Sequence, residues 1–105
     1  RIRLSGIAAR EIDETCKPGH PCPTASGRAA RDHLAGLLGK TTGTASTGHL
    51  LIRGPRLRCV SEGSGKGART AAHCVSPEAG DLSCGMVKSG MAVRWKRYGG
   101  DRVCG

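Results

Sequence analysis

The sequence predicts a small, disulfide-linked α+β domain, and three observations lead there. The chain has 105 residues, which allows one domain spanning residues 1–105. Only 37% of the residues are apolar and none is Phe, while 17 are Gly and 6 are Cys. Short runs with strand alternation are interspersed with two segments of helical periodicity. A core of Leu, Ile, Val and Ala in so short a chain buries only about two thirds of the unfolded surface. Glycine adds backbone entropy that folding must overcome. Cross-links, worth about 2 to 4 kcal/mol each, offset that deficit.

Taken in order, Arg1 to Leu4 alternates charged and apolar residues, as a half-buried strand does. Residues 5 to 25 hold Gly, three Pro and two Cys and read as a long loop. Ser26 is placed to cap a helix over Gly27 to Leu38, with Ala30, Leu34, Leu37 and Leu38 on its apolar face and Gly39 as its terminator. Lys40 to Gly48 reads as a polar, flexible connection. His49 to Ile52 and Arg56 to Val60 read as strands across the Arg53-Gly54-Pro55 turn. Ser61 to Ala68 is a glycine-rich loop, and Arg69 to Val75 is a strand with Arg69, Ala71 and His73 on one side. Pro77 to Gly80 turns into a helix around Asp81 to Ser89, after which Ala92 to Tyr98 is extended or irregular.

Six cysteines in a small basic chain point to an oxidising compartment, hence a secreted or periplasmic protein whose targeting segment, if it has one, has been removed. Fifteen pairings are open to six cysteines. The preferred one is Cys16–Cys22, closing a Pro/Gly loop, Cys59–Cys74, joining neighbouring strands, and Cys84–Cys104, tying the C-terminal end to a helix. The competing zinc reading rests on Cys16-x3-His20-x-Cys22, but no two cysteines form the short C-x2-C pair that structural zinc sites favour.

Seventeen Lys and Arg against eight Asp and Glu give a net charge of +9. That field draws polyanions at low salt, with nucleic acid the leading partner and anionic polysaccharide or lipid behind it. The same charge also serves a plain solvated surface. No stretch is long and apolar enough to suggest a membrane span.

Four stretches match, in order, motifs of a known family. Arg1-Ile2-Arg3-Leu4-Ser5-Gly6-Ile7-Ala8-Ala9-Arg10-Glu11 resembles R-I-R-L-x-G-I-D-A-P-E and runs on into Ile12-Asp13-Glu14-Thr15-Cys16. Gly27-Arg28-Ala29-Ala30-Arg31-Asp32 resembles G-R-E-A-R-D. Cys59, then Gly65-Lys66-Gly67-Ala68-Arg69, then Cys74 resemble C…D-R-Y-G-R…C. Asp81-Leu82, Met86-Val87-Lys88-Ser89-Gly90-Met91-Ala92-Val93 and Lys96-Arg97-Tyr98 resemble D-L…M-V-x-x-G-x-A-V…R-R-Y. The family is that of the staphylococcal nucleases (thermonucleases), and the matches cover most of the chain. The resemblance implies an OB-type β-barrel with two to three helices and a calcium-dependent phosphodiesterase site. It assigns catalysis to Arg3 and Arg69 as phosphate-gripping cations and to Glu11 as general base. The family's metal-binding aspartate position is Ala8, its proline position is Arg10, and its D-G-D-T strand is absent ahead of Arg1. An incomplete barrel would leave an open edge, which suggests pairing with a second copy by strand exchange.

Calcium wants several oxygen ligands, usually more than one carboxylate. With Ala8 in place of the aspartate and Asp13 and Glu14 lying beyond the matched position, no tightly bound cofactor is expected. Hydrolysis of DNA or RNA is then weak or lost, leaving phosphate or nucleic-acid binding. Outside the resemblance, Arg3 reads as an exposed strand residue and Glu11 as a loop acid paired with Arg10. Arg94-Trp95-Lys96-Arg97-Tyr98 interleaves bases with the chain's only two aromatics, a pattern suited to stacking on nucleobases, and Lys66 adds a further cation. Trp95 equally suits a core poor in aromatics. The loop Gly63-Ser64-Gly65-Lys66-Gly67 lacks the spacing of a P-loop and reads as a strand connection. A function of a different class remains open, that of a secreted accessory protein, associated for example with exopolysaccharide, that uses the fold as a scaffold.

Overall fold

The computed structural model of the chain describes residues 2–64 and 70–105. The expected sites Lys66 and Arg69 lie outside the described residues.

Strand β1 (Ile2–Leu4) pairs in parallel with β6 (Thr70–Ser76), and β5 (Arg58–Ser64) pairs antiparallel on the other side of β6. The two-residue strand β7 (Gly80–Asp81) adds to β6 through Val75 and Ser76. Two smaller ladders stand apart: β2 (Ile7–Ala8) with β8 (Val93–Arg94), and β3 (Lys40–Thr44) with β4 (Leu50–Arg53). Helices α1 (Gly27–Leu38) and α2 (Leu82–Lys88) complete an α+β architecture, with short 3₁₀ turns at Lys96–Tyr98 and Gly100–Arg102. Among the described residues the three sheets share no ladder, so no closed barrel forms. No described helix is long and apolar enough to cross a membrane.

The helix boundaries follow the caps. The Ser26 hydroxyl accepts from the N–H of Ala29, and the Gly39 N–H closes the last turn onto Ala35. Asp81 caps α2 by accepting from the N–H of Cys84. The expected α1 face divides between two small cores. Ala30, Leu34 and Leu37 pack with Ile7, Met86, Ala92 and Val103. Leu37 and Leu38 also reach Ala72, Cys74 and Leu82 under the main sheet. Along β6, Ala72, Cys74 and Ser76 are buried while His73 and Val75 are partly exposed, as strand alternation requires.

Three local expectations are corrected. Lys40 to Gly48 is not a flexible connection but β3 and a hairpin turn, closed by the Ala45 N–H on His49 O at 2.8 Å. Its threonines are β-branched and suit a pleated strand despite their polarity. Strands β4 and β5 do not pair with each other across Arg53-Gly54-Pro55, because β4 is taken by β3 and β5 by β6. Ile7–Ala8 within the expected loop forms a strand because both side chains are buried beside β8.

The disulfides are Cys16–Cys22, Cys59–Cys74 and Cys84–Cys104, the preferred pairing. Cys59 and Cys74 are direct register partners across β5 and β6. The loop before α1 rests on the helix start so closely that a Cβ on Gly27 would lie 1.8 Å from the carbonyl oxygen of Glu11.

Two stability outcomes follow. Gly27→Ala, which improves intrinsic helix propensity, is expected to destabilise the fold by more than about 1 kcal/mol in chemical denaturation, because backbone has to move to admit the methyl group. Replacing Cys59 and Cys74 together by Ser releases a loop with a separation of 15 residues and is expected to cost about 3 kcal/mol in the same measurement.

Candidate functional site

Register and alternation decide where Arg3 points. Leu4 packs into both cores, so its neighbour Arg3 takes the opposite face of β1. Beyond Gly6, at φ +75°, the chain turns into β2. There Ile7 faces Arg94, and the Trp95 N–H donates to Gly6 O at 2.8 Å. This pairing brings Trp95 alongside the end of β1. The 3₁₀ turns then fold back on Trp95, whose carbonyl accepts from both Tyr98 and Gly100. A Cβ on Gly100 would lie 2.5 Å from the Trp95 nitrogen, so only glycine permits that return.

The result is a platform of rings and cations. The Arg3 guanidinium lies 5.3 Å from the centroid of the Trp95 ring. Its Nη2 also donates to His20 Nδ1 at 3.1 Å. Because arginine only donates, His20 accepts at Nδ1. The rings of His20 and Trp95 are 4.3 Å apart, and Tyr98 meets Trp95 edge-on at 4.6 Å. Arg97 lies 5.7 Å from the Tyr98 ring centroid, and both of these residues are exposed, as is Lys96. Trp95 is half-buried and belongs to neither core. Arg94 is also exposed, and its guanidinium donates to Val103 O through Nε and Nη2.

The sequence marks His20 only as a candidate zinc ligand and gives no sign of its place on the platform. The histidine arrives from the loop closed by Cys16–Cys22, in which its own N–H donates to Lys17 O at 3.0 Å. The zinc reading of this segment is thereby removed: both cysteines are oxidised, and the histidine bonds to Arg3.

The other residues of the opening motif are engaged locally. Glu11 pairs with Lys17 at 3.9 Å, not with Arg10. Arg10 instead donates to the carbonyls of Pro23 and Glu14, each at 2.8 Å. Asp13 accepts from the N–H and hydroxyl of Thr15, and those bonds hold its carboxyl below the usual range against a small opposing effect of burial. Glu14 accepts from the N–H of Gly27. Among the described residues, no hydrogen bond or ion pair joins Arg3 to Glu11. No described group of three or more His, Cys, Asp or Glu side chains is arranged to hold a metal ion.

On the other side of Tyr98 lies a cleft of about 270 Å³, lined by Ser5, Glu62, His73, Asp81, Tyr98 and Arg102. Within it His73 Nε2 lies 2.7 Å from Asp81 Oδ2, and the Ser5 hydroxyl donates to Glu62 Oε1 at 2.8 Å. Burial pushes the Asp81 carboxyl up, but the bonds from His73 and the N–H groups of Cys84 and Ser83 outweigh it, so the net shift is downward. The polar side of β6 that carries His73 was legible in the alternation. Its pairing with Asp81, and the approach of Ser5 and Glu62, were not.

Comparison of the chain with protein-family models, with curated proteins and with solved structures finds no match in any of the three.

The Asp81 geometry sets a stability outcome. Asp81→Ala removes a helix cap and is expected to cost about 0.5–2 kcal/mol in thermal or chemical unfolding. Asp81→Asn keeps the cap and loses the charge. Because the folded carboxyl titrates below its ordinary 3.8, the charged form favours the fold above that pH. The stability gap between wild type and Asp81→Asn is therefore expected to shrink as the pH falls below about 3.8.

Proposed function

We propose that this chain is an exported domain of the staphylococcal-nuclease type, an open OB-type frame that has kept a grip on nucleic acid and lost calcium-dependent phosphodiester hydrolysis. The reading rests on the ordered motif matches of the sequence together with one structural observation. Arg3, the phosphate-gripping position of the resemblance, stands against Trp95, which sequence alone placed in a separate basic-aromatic segment. Three oxidised cysteine pairs fit an oxidising compartment such as the periplasm or the extracellular space.

Single-stranded nucleic acid suits the platform better than a polysaccharide does. Aromatic faces stack on any base, and interleaved cations neutralise the adjoining phosphates. Among the described residues Arg3 uses one N–H on His20, so further donors of its fork are placed to meet a phosphoryl oxygen. Exposed Lys96 and Arg97 extend the cationic surface, and the net charge of +9 raises the local concentration of a polyanion. Hydrolysis by the family's route needs a metal ligand where Ala8 stands, and Glu11 is paired with Lys17.

Trp95 is the only tryptophan, so its fluorescence reports the platform directly. Titration with a single-stranded DNA oligonucleotide is expected to quench it, with affinity falling steeply as salt rises. Tyr98→Ala is expected to weaken binding by about 1–3 kcal/mol. Added calcium is expected to produce no turnover. Calcium-dependent cleavage that disappears in Glu11→Gln overturns the loss of catalysis. Binding of an acidic polysaccharide but not of DNA at matched salt favours the accessory-protein reading.

A further inference from the structure

From the cleft beside the platform we infer a second activity: metal-independent cleavage of RNA, with Glu62 as general base and His73 as general acid. The inference rests on the nucleic-acid reading above, since the platform brings the strand to the cleft through their shared residue Tyr98.

Breaking an RNA strand without a metal needs a base at the ribose 2′-hydroxyl, an acid at the departing 5′-oxygen, and positive charge at the phosphoryl oxygens. The cleft holds one of each. Glu62 is exposed on β5, and the Ser5 hydroxyl holds one of its carboxylate oxygens at 2.8 Å. Its second oxygen has no partner among the described residues and is open to a substrate proton. His73 is held through Nε2 by Asp81, whose other oxygen accepts from the Cys84 N–H. A carboxylate held from both ends fixes the orientation of the ring. Nδ1 of His73 has no partner among the described residues, so it is the nitrogen left to give a proton. Arg102 supplies the cation. Its Nη2 lies 2.7 Å from where a Cβ on Gly99 would stand, so the glycine leaves room for that side chain. The volume of about 270 Å³ suits a single nucleotide unit lying in an open groove.

In the step, Glu62 takes the 2′-hydroxyl proton as the 2′-oxygen bonds to phosphorus. The bond from phosphorus to the 5′-oxygen breaks, and that oxygen takes the Nδ1 proton of protonated His73. The products are a 2′,3′-cyclic phosphate end and a 5′-hydroxyl end. Exchange with solvent then returns Glu62 to carboxylate and His73 to imidazolium. The reaction consumes no oxidant, reductant or metal, and DNA, lacking the 2′-hydroxyl, is bound but not cut.

The test uses the full chain with an RNA oligonucleotide and the all-deoxy strand of the same sequence, both in excess chelator. Trp95 quenching reports binding, and end-group analysis reports cleavage. The expected result is cutting of RNA alone, unaffected by chelator, to 2′,3′-cyclic phosphate ends. Turnover at saturating RNA is expected to fall about 100-fold or more in Glu62→Gln and, separately, in His73→Gln, each purified in parallel and matched to wild type by unfolding midpoint. Two variants on different strands keep the test valid if one of them is unstable. Binding of both strands with RNA left intact overturns the cleavage inference and leaves the platform reading standing. Equal cleavage by wild type and both variants also overturns it. Absence of binding to the all-deoxy strand counts against the platform reading instead.

Discussion

Covalent cross-linking is the constraint on which the rest of this molecule depends. Its buried apolar residues are mostly alanines and single medium-sized side chains, in two clusters that share Leu4 and Leu37 at their borders. Such cores leave little margin over the conformational entropy of a glycine-rich chain. The three disulfides fall where that margin is needed. Cys59–Cys74 joins the central strands, Cys84–Cys104 ties α2 to the C-terminal segment, and Cys16–Cys22 shapes the loop before α1.

Two of those links also position functional groups. The Cys16–Cys22 loop delivers His20 to Arg3 and Trp95. The Cys84–Cys104 bond anchors the segment beyond the 3₁₀ turns, and Val103 beside it packs under Gly6. That anchorage sets the platform and the cleft against the same end of β1, with Tyr98 between them. The electrostatic contrast between the two is sharp. The platform is cationic and aromatic, whereas the cleft sets two carboxylates, a histidine and an arginine around open space.

Much of the local structure was legible in the residues. Ser26 and Gly39 bracket α1 because a hydroxyl cap and a glycine terminator act within one turn of chain. The disulfide pairing was legible because each partner lies within 20 residues of the other and in an element of predictable kind. The β3–β4 hairpin was missed because its threonines are polar, and polarity masked their preference for extended backbone. The expected barrel was carried by motif order rather than by any local signal, and the described strands form separate ladders instead. The site was legible only in part. Arg3, Trp95 and Tyr98 were each named from sequence, His20 stood out only as a zinc-ligand candidate, and Glu62 and Arg102 carried no local mark.

What the sequence determined by itself is therefore the short-range inventory: the α+β class, the two helices, the caps of the first, the cross-links and the strongly basic surface. These depend on residues a few positions apart, or on sums over the whole chain, and neither requires knowing the path of the backbone. What only the tertiary structure decided is which groups meet. Arg3 and Trp95 are brought together by the β2–β8 ladder, and His73 meets Asp81 through the β6–β7 ladder. Those encounters follow from strand register, and register is set by which side chains the two small cores bury together.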